Sequence, residues 1–196
     1  MEQIRYHEAK VEFEKIAPNI DDVEILFDYA EIYFILDEYN KSLELQNRIL
    51  HILDLNNEDN YSIIAMVYEN IGAIFHKNGE YDKAIEYYTN ALNKKIELYG
   101  EMHPEVGTSF NNMGLLYHDL GSYEEAIALY KKSLTIHIET LEENDLRISS
   151  TYSNLGMSLS EIGNFNEAKK YYQKSLDIID SESNIEAAKV YNNPNP

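Results

Sequence analysis

Asn112-Met113-Gly114, then Gly121, then Tyr123-Glu124-Glu125-Ala126-Ile127 is a pattern that the chain writes three times. The other copies open at Asn70-Ile71-Gly72 and Asn154-Leu155-Gly156, an interval of 42 residues on either side. Gly79 and Gly163 repeat the second mark. Tyr81-Asp82-Lys83-Ala84-Ile85 and Phe165-Asn166-Glu167-Ala168-Lys169 repeat the third. Self-similarity at a fixed period specifies a stack of equivalent units rather than one globular core.

Within each unit the apolar residues are spaced as on helices. Ala65, Tyr68, Ile71, Gly72 and Phe75 form one stripe, and Tyr81, Ala84, Ile85, Tyr88 and Leu92 a second. The glycine of Asn78-Gly79 between them supplies the positive-φ residue that ends one helix before the next begins. Each unit is therefore a helix A, a tight turn and a helix B. Gly72 and Ala84 are expected where the two helices cross, because small side chains allow close approach. Helix A is expected over 22–36, 60–77, 103–119 and 145–161, and helix B over 39–54, 81–99, 123–141 and 165–180.

A drifted copy precedes the three clear ones. Tyr39 lies 42 residues before Tyr81, Ser42 takes the alanine position, Ala30 replaces the glycine of helix A, and Asp28 replaces the asparagine. The ends are incomplete. Tyr6-His7-Glu8-Ala9-Lys10 opens a helix B without a helix A, and Tyr191-Asn192-Asn193 resembles the opening of a helix A. Asn193-Pro194-Asn195-Pro196 then forbids continuation. The resulting division is one array over 1–196. It comprises a partial repeat (1–20, helix B only), four repeats (21–58, 59–102, 103–144 and 145–182) and a second partial repeat (183–196). Truncated ends suggest a fragment of a longer protein; lone helices acting as natural caps are the alternative.

Composition bounds the function. With no cysteine, the chain has neither a disulfide framework nor a thiolate metal site. The N-terminus lacks the apolar run of a signal peptide, and Ile32 to Leu36 is too short to span a bilayer. A soluble, cytoplasmic protein is expected, with no membrane partner. The net charge of -19 excludes nucleic acid, which needs concentrated Lys and Arg. It leaves open a basic partner or a surface that is acidic for solubility.

These glycines, alanines and tyrosines are identified as those of the tetratricopeptide repeat. The family places a small residue where Gly72, Gly114 and Gly156 stand, and again at Ala84, Ala126 and Ala168 and at Ala91, Ser133 and Ser175. It places large or aromatic residues at Tyr68, Phe110 and Tyr152 and at Tyr88, Tyr130 and Tyr172. The interval exceeds the usual length of about 34 residues. With Gly100-Glu101-Met102-His103-Pro104, it resembles the kinesin-light-chain type of repeat. The junction at Leu141-Glu142-Glu143-Asn144-Asp145 lacks the His-Pro. The fold that the resemblance implies is all-α: an α-solenoid, a right-handed superhelix of antiparallel helix pairs.

The resemblance also implies that the remaining stripe of helix A lines a concave groove for a protein or peptide. On that stripe stand Glu24, Phe27, Asp28, Glu31 and Phe34, then Met66, Glu69, Asn70, Ala73 and His76. The next two repeats place there Thr108, Asn111, Asn112, Leu115 and His118, then Ser150, Ser153, Asn154, Met157 and Ser160. Asn70, Asn112 and Asn154 form a ladder of amides that can each donate to and accept from a peptide backbone. The same amides could instead bond between neighbouring helices. No Lys or Arg stands on the stripe, so capture of a C-terminal carboxylate is not expected. Glu24, Asp28, Glu31 and Glu69 beside Phe27 and Phe34 would suit a basic segment with an apolar anchor.

No catalytic motif stands out. The histidines form no His-x-x-x-His pair, and there is no phosphate loop, dinucleotide fingerprint or Gly-x-Ser-x-Gly. No cofactor or metal is implied. The expected function is a non-catalytic scaffold that binds a protein or peptide in the groove. The alternative is a structural or regulatory segment of a larger protein, its groove filled in cis. End-to-end self-association through the incomplete terminal repeats is open to such a chain.

Overall fold

A computed structural model describes residues 2–16, 21–55 and 57–191, the side chains of 2–5, 12, 16 and 181–191 excepted. Among them all regular structure is helical. The elements are α1 (Glu2–Ile16), α2 (Val23–Ile35), α3 (Tyr39–Ile52), α4 (Tyr61–Lys77) and α5 (Tyr81–Tyr99). They continue with α6 (Pro104–Asp119), α7 (Tyr123–Thr140), α8 (Leu146–Glu161) and α9 (Phe165–Tyr191). The expected runs match to within two residues at every end except the last.

Glycine sets the turns inside the pairs. Gly79, Gly121 and Gly163 have φ of 73, 80 and 79°. In each case the next residue's N–H closes onto a carbonyl five residues back, as from Ser122 to Tyr117 at 2.9 Å. The drifted first repeat makes the same closure, Glu38 to Tyr33 at 2.8 Å, with Asp37 at φ 58° in the glycine's place. Aspartate tolerates this region better than most residues.

Side chains start the helices. Asp22 accepts from the N–H groups of Glu24 and Ile25 at the head of α2. His103 Nδ1 accepts from Glu105 N–H at 3.2 Å, and Pro104 fills the first helical position of α6. The His103 ring also stacks on Tyr99 at 4.3 Å. Asp145, 42 residues on, accepts from Arg147 N–H at 2.8 Å. The junction without a His-Pro thus keeps the cap and changes only the residue that makes it.

The chain divides into two compact units, Met1–Leu98 and Tyr99–Pro196. In the first, Leu26, Ala30 and Tyr33 of α2 pack with Leu45 and Ile49 of α3 and Val67 and Ile71 of α4. Phe13 of α1 joins them, stacked on Tyr29 at 3.9 Å. In the second, Ala126, Ile127, Tyr130 and Leu134 of α7 pack with Ile148, Tyr152, Leu155 and Leu159 of α8 and Ala168 of α9.

Close approach within each pair is between glycine and tyrosine, not glycine and alanine. A Cβ on Gly114 would lie 2.5 Å from Tyr130 Cε1. One on Gly72 would lie 2.9 Å from Tyr88 Cδ1, and one on Gly156 2.9 Å from Tyr172 Cε1. Ala84, Ala126 and Ala168 are buried as expected, and it is the tyrosine ring that lies nearest the glycine. In the first repeat both partners change together. Ala30 has a Cβ, and Gln46 stands 42 residues before Tyr88.

One element departs from expectation. α9 runs unbroken to Tyr191, so 183–191 does not open a new helix A. Ser181-Glu182-Ser183-Asn184 has no glycine or proline to reverse the chain. Residues 192–196, the remainder of the expected partial repeat, lie outside the described residues.

Candidate functional site

In the first unit, α2 turns Glu24, Asp28 and Glu31 to solvent, and none forms an ion pair among the described residues. Phe27 and Phe34 beside them are half-buried. Phe27 packs on the unit's core, and the Phe34 ring lies 5.5 Å from that of Tyr39. The carboxylates are therefore available, while the two rings give only part of their surface.

Glu69 departs from its expected role. Lys95 of α5 reaches it at 2.7 Å, and the Lys95 side chain is buried. A carboxylate expected to be uncompensated is instead half of a largely desolvated ion pair that ties α4 to α5. Burial, with Glu69 nearby, pushes the Tyr88 hydroxyl's pKa upward. Asn70, one residue on, is half-buried, and its amide makes no hydrogen bond among the described residues. Met66 is exposed on the same face.

In the second unit the face is neutral. Asn154 Nδ2 of α8 donates to Asn111 Oδ1 of α6 at 3.1 Å. His118 Nδ1 lies 2.9 Å from the Ser158 hydroxyl. Two polar links thus join successive A helices, and Asn154 and Asn111 are committed to stacking. Asn112, like Asn70, is half-buried and makes no hydrogen bond among the described residues. Of the ladder, Asn70 and Asn112 make no hydrogen bond among the described residues, and Asn154 spends one N–H on Asn111.

Three features behind these faces escape sequence reading. Lys95 and His137 occupy the same place in successive repeats, 42 residues apart, and both are buried polar groups. His137 Nε2 lies 3.2 Å from the Pro104 carbonyl, and Nδ1 lies 3.4 Å from the hydroxyls of Ser133 and Thr151. Burial holds its pKa below the ordinary imidazole value. The third feature is Gly107, where a Cβ would lie 2.6 Å from the His137 ring. A glycine in the first turn of a helix is the one available signal.

The comparisons bear on what such faces are. The family model of the tetratricopeptide repeat matches residues 21–93, 63–138 and 105–181, together most of the chain. The chain belongs to the tetratricopeptide repeat family. Among curated protein sequences, none matches it. Several solved structures share the fold. BtubC (BKLC) from P. vanneervenii superposes at a TM-score of 0.75 with 22% identity, over 98% of this chain and 77% of that one. Kinesin-light-chain repeats from Podosopora anserina superpose at 0.72 with 14% identity, over 93% and 88%. The apo form of RapI superposes at 0.74 with 21% identity, over 92% and 50%. Tetratricopeptide repeats generally mediate protein–protein interaction, and such scaffolds are typically non-catalytic. No described helix is long and apolar enough to cross a membrane.

Proposed function

We propose that this tetratricopeptide chain is a non-catalytic binding module whose A helices hold an extended segment of a partner protein. The observation that carries the reading is the amide of Asn70, half-buried on a helix A face of the first unit and without a hydrogen bond among the described residues; Asn112 repeats it in the second unit, taken by itself. A primary amide both donates and accepts, so each can pair with one peptide unit of the partner backbone. Glu24, Asp28 and Glu31 add a charge preference: the segment presents Lys or Arg, with an apolar side chain seated near Phe27 and Phe34. Asn154 and Asn111, also expected among the contact residues, are bonded to each other between α8 and α6 and so have less to offer a partner.

Selection of a random peptide library on the intact chain tests this. Selected peptides should be enriched in Lys and Arg. Their binding should weaken by about 1–3 kcal/mol in Asn70→Ala, in the same unit as the carboxylates, where a partner's peptide group is left unpaired. It should also fall as salt rises, since exposed charge pairs are screened. Peptides of acidic composition, or affinities untouched by Asn70→Ala and Asn112→Ala in folded variants, would remove the reading.

A further inference from the structure

Lys95 and Glu69 are charges that the repeat itself does not require. The residues equivalent to Lys95 in the other repeats are Leu53, His137 and Ile179, and those equivalent to Glu69 are Phe27, Asn111 and Ser153. No lysine or acid stands among them. Here the two charges occur together, 2.7 Å apart, with side chains 4 and 17% exposed. Burying an ammonium is costly, and an apolar pair of similar size is often as stable. Stability therefore does not account for the choice. What the pair changes is the charge of the binding face. Glu69 is the only acidic residue of α4, and it stands beside Asn70 on the A-helix stripe. Held from beneath by Lys95, it adds no net charge there. Nor can it swing out to meet a partner's cation, because Lys95 would then lose the carboxylate that offsets its burial. On α2, by contrast, Glu24, Asp28 and Glu31 form no ion pair among the described residues. Within the first unit the face is thus acidic on α2 and not on α4.

We propose that Lys95 is a specificity-determining residue of this face. By cancelling Glu69 it confines the acidic track to α2, so the partner segment carries its Lys or Arg over α2 and uncharged residues over α4. The inference rests on the proposed hold of Asn70 on the segment's backbone, and it gives that segment a charge register. A cation set over α4 would shed water and find a carboxylate already paired, a loss without a matching gain. Residues next to the peptide group on Asn70 are therefore uncharged, and an aliphatic one finds Met66, 43% exposed on the same stripe. Selection is partly by rejection: a segment basic along its whole length is disfavoured against one basic at one end.

Selecting the same random peptide library on Lys95→Gln and on the parent chain tests this. Glutamine can still donate a hydrogen bond to Glu69 but leaves its charge uncompensated. Peptides selected on Lys95→Gln should carry a basic position that parent-selected peptides lack. They should bind Lys95→Gln roughly five-fold more tightly than the parent at low salt, the worth of one partly exposed charge pair. The gain should close as salt rises. Glu69→Gln/Lys95→Met, with both charges removed, should select as the parent does. Circular dichroism checks that each variant is folded, and Lys95→Met replaces Lys95→Gln if the glutamine is not tolerated. A purely structural Lys95 would alter stability and leave the composition of the selected peptides alone. Peptides that need Asn70 yet gain no basic position on the lysine variants would overturn the proposal and leave the binding reading standing. So would a new basic position that persists in the double variant. Parent-selected peptides indifferent to Asn70→Ala would remove the binding reading and this inference with it.

Discussion

At the residue scale the fold depends on contacts between one glycine and one ring. Gly114 has no room for a Cβ because Tyr130 lies where it would project. Gly114→Leu should overpack the pair and cost about 1–3 kcal/mol in urea unfolding. Tyr130→Leu made together with Gly114→Ala should cost less than the two single changes summed, since the ring creates the clash. An additive result would place the strain elsewhere. At the equivalent positions the first repeat has Ala30 and Gln46. Glu69 and Lys95 depend on each other for a different reason. Glu69→Gln leaves the Lys95 ammonium buried without its partner and should destabilise by about 3 kcal/mol, whereas removing both charges with Glu69→Gln/Lys95→Met should cost much less. Equal losses in the single and double variants would mean that the pair is not coupled.

At the element scale, what the sequence reveals and what it hides divide cleanly. Helix existence, the glycine turns and the identity of the A and B faces are legible because each follows from local spacing and backbone preference. The end of α9 is not. Tyr191-Asn192-Asn193 resembles the opening of a helix A, but resemblance supplies no turn, and the stretch before it lacks the glycine that ends each helix A of the clear repeats. The partners of Glu69, Asn154 and His137 are also hidden, because each comes from another helix: Lys95, 26 residues on from Glu69; Asn111, 43 residues back from Asn154; and Pro104, 33 residues back from His137. His137 joins α7 to the start of α6 and to α8, and its environment gives a pH dependence. Its folded pKa is depressed by burial, so the unfolded chain takes up a proton first as pH falls. The stability from its burial is full above the unfolded imidazole pKa of about 6.5 and declines below it. Unfolding free energies at about pH 7 and about pH 5.5 should therefore differ more in the parent than in His137→Gln. Equal differences would show that His137 has no part in the acid response.

At the scale of the molecule, the two units offer A-helix faces of different character: an acidic face on α2 and a neutral, cross-linked face on α6 and α8. The net charge of -19 alone does not distinguish recognition from solubility. The positions of three unpaired carboxylates beside two half-buried rings favour recognition. The central claim of the proposed function is that a partner's backbone is held by an A-helix amide within a unit, Asn70 in the first or Asn112 in the second. The side-chain amide resonances of isotope-labelled chain, followed by NMR while a library-selected peptide is added, read those groups directly. The NH2 signal of Asn70 or Asn112, according to the unit that the peptide occupies, should move with its binding curve, while that of Asn154, bonded to Asn111, stays close to its place. Peptide binding that leaves the Asn70 and Asn112 signals unmoved would contradict the account.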